Sequence, residues 1–576
     1  MAVVNITING RKIEAQAGQT ILEAANAHEI YIPTLCHHPA LEPQGSCRMC
    51  LVEIEKQRGL QPACTYPISE GMVVNTDTVK TQGARKFVLE LLFSERIHYC
   101  MYCQMSGSEG STECELQRLA YEHGLTNWEY APNSKKRWPV DASRKYFIMD
   151  HSRCILCRRC VRACDEIVAN HTLGVRDRGA RTMIIADADV PFGSSSCVSC
   201  GTCLQVCPTG ALIDRRSAYM GHCTDVEQTR VTCMACPVGC GAEAITRGNM
   251  LLRVESDWEA ANHGLLCVHG RFESVEPQPP RVTVPLVRKD GELVPAGWDE
   301  ALGAIARRFQ TAGAVAGLAS PRLTTEMLAD FKQFFAESLR SDQVALLYGE
   351  LPPMDLGPAA TLADVEQADV LLVVRGEPLQ DQKVLGYTIR RTAERGARLI
   401  SVSDTATELD PCSHSRLPLA RLAEAVAEGR AAARPVVLYS GGLQPAVYET
   451  LRGCANARFM PLYRGTNAAG ALQVGLKAIP VAGAALYVLA GDEVPGDGQK
   501  LPQAGFTVVE SAYRTAWTDA ADVVLPAQTW AETAGHIINI EGRELPVVPF
   551  MRPLQGAAAD GVALVKLAEH LGHPFN

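Results

Sequence analysis

The chain has 576 residues and 22 cysteines, 20 of which lie among the first 267 residues. Apolar residues make up 47% and charged residues 21%, which excludes a disordered or fibrous chain and leaves room for about four domains. Lys+Arg 55 against Asp+Glu 64 gives a net charge of −9, which excludes an electrostatic footprint for nucleic acid or an anionic membrane surface.

MAVVNITINGRKIE lacks the basic segment and apolar run of a secretory signal. The expectation is a cytosolic protein, where disulfides are rare and clustered cysteines ligate metal. Alternation predicts a strand near Val3 to Ile8, Asn9-Gly10 a turn into a second strand, and the residues from Thr20 to His28 a helix. Cys36, Cys47, Cys50 and Cys64 follow, separated by ten, two and thirteen residues. In LCHHPALEPQGSCRMCLVEI, Gly45 and Ser46 let backbone amides approach a cluster, and Leu51 to Ile54 returns to a strand. The pattern resembles a β-grasp ferredoxin, which implies a [2Fe–2S] cluster on these four thiolates; a structural zinc is the alternative.

Cys100, Cys103 and Cys114 supply only three thiolates, and His98 is the candidate fourth ligand of a [4Fe–4S] cluster. A neutral imidazole in place of an anionic thiolate raises the potential; the competing reading is an ordinary surface or core histidine. A helix is expected to begin near Cys114. Next comes an internal repeat, CILCRRCVRAC and CVSCGTCLQVCP, 43 residues apart and identically spaced. This is the two-cluster ferredoxin signature, in which the fourth cysteine of each run serves the other cluster. One [4Fe–4S] cluster is expected on Cys154, Cys157, Cys160 and Cys207, the other on Cys197, Cys200, Cys203 and Cys164. Arg158, Arg159 and Arg162 either offset cluster charge or form a solvated helix face.

Cys233, Cys236, Cys240 and Cys267 suit a further [4Fe–4S] cluster, with CMACPVGC on a loop and the last ligand after strands around Ala244 to Val254. Cys223, Cys412 and Cys454 read as buried small hydrophobes. Nineteen cysteines and His98 thus account for one two-iron and four four-iron clusters. Such a series suits stepwise electron transfer, and no general acid, base or nucleophile is expected.

This order of cysteine motifs resembles the large iron–sulfur subunit of NADH dehydrogenase (respiratory complex I). It is similar also to electron-transfer subunits of NAD-linked hydrogenases and formate dehydrogenases. The resemblance implies an FMN- and NADH-binding flavoprotein partner, a small thioredoxin-like [2Fe–2S] subunit, a terminal redox subunit and, in some complexes, ferredoxin. Two departures favour the hydrogenase and formate dehydrogenase branch, including electron-bifurcating forms, over complex I. Arg96 stands where the complex I subunit usually has its histidine, and QMSGSEGSTE lengthens the gap from Cys103 to Cys114.

SVEPQPPR, Ser274 to Arg281, reads as a linker. Beyond it, LADVEQADVLLVV, ERGARLISVS, RPVVLYS, ALYVLA, FTVVE and DAADVVLP alternate with helical stretches, which predicts parallel βαβ units in a doubly wound sheet. Ala478 to Gly491 is the longest apolar stretch, shorter than the about 20 residues a bilayer requires and interrupted by Pro480. It reads as a buried strand with its approach. The second half resembles the molybdopterin oxidoreductase fold. Its metal-ligand region, here RSDQVALLYGELPPMDLG, has no cysteine, and His269 replaces the family's usual lysine. A docking scaffold is therefore expected rather than a molybdopterin site, with a catalytic molybdenum or tungsten enzyme as the alternative.

The expected architecture is α/β multidomain: residues 1–80 a β-grasp [2Fe–2S] domain, 81–140 the domain of the cluster with one His and three Cys, and 141–222 a two-[4Fe–4S] ferredoxin domain. Residues 223–280 are expected to form a [4Fe–4S] entrance domain, and 281–576 a truncated molybdopterin-oxidoreductase-like domain.

Overall fold

Val3–Ile8 runs antiparallel to Arg11–Gln16 with Ile6 opposite Ile13, so one face of the hairpin is apolar. Asn9 and Gly10 both take positive φ, as a two-residue turn matching strand twist requires. In this computed structural model the described residues are 2–125, 127, 129–130, 137–347, 351–476, 483–496, 498–557 and 561–574. They divide into two units, Met1–Val226 and Glu227–Asn576.

In the first unit the hairpin joins a five-stranded sheet in which Val3–Ile8 pairs in parallel with Val73–Asn75. The helix Ile21–Ala27 is closed by a capping box: Thr20 Oγ1 accepts from Glu23 N at 3.2 Å and the Glu23 carboxylate accepts from Thr20 N at 2.7 Å. Its Ile21 and Leu22 pack on Ile6, Ile8, Val52 and Val74, and Cys50 and Cys64 belong to the same core. A long helix, Val79–Glu95, and a short one, Glu115–Glu122, follow; Cys114 is the N-cap of the second. A three-stranded antiparallel sheet centred on Phe147–Asp150 carries the repeat.

The second unit begins with antiparallel strands Glu227–Thr232, Gly241–Arg247 and Met250–Ser256. Two larger sheets follow where one was expected. ADVLLVV, ARLISV and RPVVLYS lie in an all-parallel five-stranded sheet, while ALYVLA, FTVVE and DVVLP lie in a seven-stranded one. The division is invisible in the pattern because every such strand is buried on both faces and reads as the same Val/Leu-rich run. In the seven-stranded sheet Val315–Ala319 pairs in parallel with Ala485–Gly491, although 165 residues separate Ala319 from Ala485. From there the chain winds outward in opposite directions, to Val344–Leu346 on one side and Phe506–Ser511 on the other. Such a switch point leaves a crevice at the carboxyl ends of the two strands.

Ala485–Gly491 is the buried strand foreseen for the longest apolar stretch, whose first part, 478–482, lies outside the described residues. Residues 348–350 of RSDQVALLYGELPPMDLG also lie outside them. Among the described residues no helix is long and apolar enough to cross a membrane.

Candidate iron–sulfur sites

The loop after the first helix brings Cys36, Cys47, Cys50 and Cys64 together as two pairs. Cys36 N donates to Cys47 Sγ at 3.4 Å and Cys47 N to Cys36 Sγ at 3.5 Å. Cys50 and Cys64 are free thiols hydrogen-bonded to each other, and hydrogen bonding to the partner, with burial, pushes Cys47 and Cys50 far above an ordinary thiol. Gly45 has φ +67°, and a Cβ there would press on Thr65 at 3.1 Å, so the approach of this loop requires glycine. Two pairs suit two irons with two protein sulfurs each better than one tetrahedral zinc.

His98, Cys100, Cys103 and Cys114 line one cavity. The His98 ring is hydrogen-bonded to the Leu92 carbonyl and packed edge-on by Phe93, centroids 5.3 Å apart. Its Nε2 is buried and has no hydrogen-bond partner among the described residues. Burial pushes its pKa down to about 4, so the ring is neutral and keeps a lone pair in the cavity it shares with the three thiols. The unpartnered nitrogen of His98 is set apart from those of His37, His151 and His222 by the three thiols that line the same cavity. Arg96 is committed elsewhere: it is buried, donates to the carbonyls of His151 at 2.7 Å and Thr182 at 2.6 Å, and stacks on Trp138. A Cβ at Gly210 would lie 2.4 Å from Cys103 Sγ, so the cavity also depends on a missing side chain.

The repeat in the sequence is a repeat in the backbone. Leu156 and Arg158 take positive φ in the first copy, Ser199 and Gly201 at the corresponding positions of the second. Leu156 N then donates to Cys154 Sγ and Ser199 N to Cys197 Sγ, each at 3.4 Å. Cys154, Cys157, Cys160 and Cys207 line one cavity, and Cys164 lies with Cys197, Cys200 and Cys203. The fourth cysteine of each run has thus crossed to the other set. Burial pushes Cys154 and Cys164 up to about 11, so these groups stay protonated unless a metal takes the sulfur.

The arginines of this region differ. Arg158 is exposed and fits the solvated reading. Arg159 is 3% exposed and grips the Glu115 carboxylate with two bonds of 2.6 and 2.8 Å, next to Cys114. Arg162 donates to the carbonyls of Cys36 and Glu42. Sequence reasoning passed over Arg153, which lines the His98 cavity; its place directly before Cys154 was the available signal.

In the second unit Cys233, Cys236 and Cys240 sit on the loop before Gly241–Arg247, and Cys267 caps the short helix Val268–Arg271; burial, and after it the neighbouring thiols, push Cys233, Cys236 and Cys240 up. A Cβ at Gly270 would come within 2.9 Å of Cys233 Sγ. Beside Cys233 lies a cavity of about 260 Å³ at the switch-point crevice, lined by Arg322, Asp492, Glu493, His269, Glu273 and Trp530 among others. Arg322 is held by Asp492 at 2.9 and 3.3 Å, His269 is paired with Glu273, and Glu493 accepts from Ser320 at 2.9 Å. Carboxylates here outnumber cations and consume them. A phosphate-bearing pterin needs uncommitted cations and N–H donors, so these residues do not fit molybdopterin.

Of the three remaining cysteines, Cys454 is buried in the core of the five-stranded sheet and Cys412 is half-buried. Cys223 is exposed, contrary to expectation, on a loop held by Cys223 N donating to Glu113 at 2.7 Å.

Five family models match in chain order. They are described as a 2Fe-2S iron-sulfur cluster binding domain (residues 1–79), the NADH-ubiquinone oxidoreductase-G iron-sulfur binding region (85–128), a 4Fe-4S dicluster domain (153–211), the molybdopterin oxidoreductase Fe4S4 domain (227–274) and molybdopterin oxidoreductase (281–439). The cofactors are therefore one [2Fe–2S] and four [4Fe–4S] clusters. An NADH-quinone oxidoreductase subunit of Rhizobium meliloti is 34% identical over 423 residues, 71% of this chain and 48% of that protein. The mitochondrial NADH-ubiquinone oxidoreductase 78 kDa subunit of Neurospora crassa is 28% identical over 99% of this chain and 81% of its own length. The chain therefore spans about half the length of the first relative and four-fifths of the second. A solved chain of an NAD+-reducing [NiFe]-hydrogenase in the H2-reduced state is 33% identical, covering 38% of this chain and 91% of that one, with a TM-score of 0.34. With these domains in this order and relatives matched along nearly its whole length, the chain is similar to the large iron–sulfur subunits of NADH dehydrogenases and, like them, is built as an iron–sulfur electron-transfer subunit of an oxidoreductase.

Proposed function

We propose that the chain is the electron-wiring subunit of a multisubunit, nicotinamide-linked oxidoreductase. The twenty residues Cys36, Cys47, Cys50 and Cys64; His98, Cys100, Cys103 and Cys114; Cys154, Cys157, Cys160 and Cys207; Cys197, Cys200, Cys203 and Cys164; and Cys233, Cys236, Cys240 and Cys267 hold its five clusters. When bound, the clusters supply one-electron transfer; the protein sets their spacing, burial and potential. A separate flavoprotein takes hydride from the nicotinamide and releases its two electrons singly into this chain. A terminal redox subunit accepts them, and the assembly stands in the cytoplasm or on the cytoplasmic face of a membrane.

The observation that carries this reading is contiguity in the first unit. One short helix, Arg159–Arg162, reaches the Cys36 loop through Arg162 and the residue beside Cys114 through Arg159. Isolated structural metal sites would have no need of such bridging. His98 and the long Cys103–Cys114 loop favour a soluble hydrogenase or formate dehydrogenase complex over complex I.

The test is reduction of the anaerobically purified chain by NADH with and without its copurifying flavoprotein. The reading expects bleaching only with the flavoprotein present. Bleaching by NADH alone, or none with the flavoprotein added, contradicts it.

A further inference from the structure

Arg153 directly precedes Cys154, yet its side chain lines the neighbouring cavity, the one shared by His98, Cys100, Cys103 and Cys114. That side chain is 10% exposed. Nη2 donates to the Tyr102 carbonyl at 3.0 Å, and Nε lies 3.3 Å from the Asp150 carboxylate as an ion pair without a hydrogen bond. Nη1 is buried and has no hydrogen-bond partner among the described residues. Gly210 leaves the space open: a Cβ there would stand 2.4 Å from Cys103 Sγ and 3.9 Å from Arg153 Nη1. A buried cationic N–H is costly to leave unbonded, so an acceptor belongs in that space.

We infer that Nη1 of Arg153 donates to a sulfur of the cluster in this cavity and raises its reduction potential. The inference rests on the assignment of His98 and the three cysteines to a [4Fe–4S] cluster. Reduction adds one electron and one negative charge to the cluster. A fixed, buried cation and a hydrogen bond to sulfur favour the reduced state. Asp150 opposes this by neutralising part of the guanidinium charge. The backbone of Arg153 adjoins Cys154, but its side chain lines the His98 cavity and not the Cys154 one, so its charge favours the electron at the His98 site.

The experiment is an EPR-monitored redox titration of the anaerobically purified full chain. Arg153→Gln should lower the reduction constant of the His98-site cluster about tenfold, or about 59 mV for one electron. Arg153→Lys should give a smaller fall of the same sign, and Asp150→Asn a rise. A merely structural role would not produce opposite signs at Arg153 and Asp150. An iron-replete Arg153→Gln chain with that potential unchanged overturns the inference, as does a fall in Asp150→Asn. If Arg153→Gln loses the cluster, Arg153→Lys and Asp150→Asn decide by the same signs. Unchanged iron and EPR in His98→Ala would instead overturn the underlying assignment; altered spectra there with no shift at Arg153 defeat the inference alone.

Discussion

The guanidinium of Arg162 donates to the main-chain carbonyl of Cys36, 126 positions away in sequence. It also reaches the Glu42 carbonyl, and Glu42 N donates in turn to the Glu166 carboxylate at 2.8 Å. The loop carrying Cys36 is therefore clamped to the helical segment carrying Cys160 and Cys164. Because electron tunnelling falls steeply with distance, this clamp sets a rate as well as a structure.

Arg162→Ala removes two charge-assisted hydrogen bonds at a partly exposed position, a loss of about 2 kcal/mol at that junction. Pulsed EPR between the reduced two-iron cluster and the Cys154-site cluster should show a broadened distance distribution. An unchanged width would contradict the clamp.

Glu115→Ala leaves the Arg159 guanidinium buried without its counter-charge. Removing one partner of a buried pair costs about 3 kcal/mol. The unfolding midpoint in urea should drop accordingly, whereas Arg158→Ala, at an exposed site, should barely move it.

The crossing of the two cysteine runs makes an asymmetric prediction. Cys164→Ser should disturb the cluster of Cys197, Cys200 and Cys203, and Cys207→Ser that of Cys154, Cys157 and Cys160. Mössbauer or EPR spectra of each variant identify the affected cluster. Damage to the cluster of the variant's own run would contradict the exchange.

Acid should distinguish the histidine corner from the cysteine corners. Burial holds His98 at about 4 but pushes Cys114 up to about 12. A proton competes for a ligand only below that ligand's pKa, so between about pH 8 and about pH 5 protons compete for the thiols and not for His98. His98→Cys adds a fourth thiol to that competition. Its cluster should be lost at a higher pH than the wild-type one, as followed by iron–sulfur absorbance; coincident curves would contradict the assignment.

Much of this was legible in the sequence because cluster ligation and strand alternation are both local patterns. The intervals of CILCRRCVRAC and CVSCGTCLQVCP carry the crossed sets, and Thr20 with Glu23 carries the start of the first helix. Sheet membership was not legible: runs such as RPVVLYS and ALYVLA differ in neither period nor composition, and only long-range pairing sorts them. Long side chains hid the residues that surround the ligands. Arg159, Arg162 and Arg153 look alike as basic residues near cysteines, and burial alone tells the Glu115 clamp and the orphaned Nη1 from the solvated Arg158. Exposure of Cys223 depends likewise on a loop whose fixing partner, Glu113, is 110 positions away.

Metal and redox analysis of the anaerobically purified chain tests the wire most directly. The account predicts about 18 irons per chain, from one two-iron and four four-iron clusters, resolved into separately reducible species without stoichiometric molybdenum or tungsten. Zinc in place of iron, or one molybdenum or tungsten per chain, would contradict it.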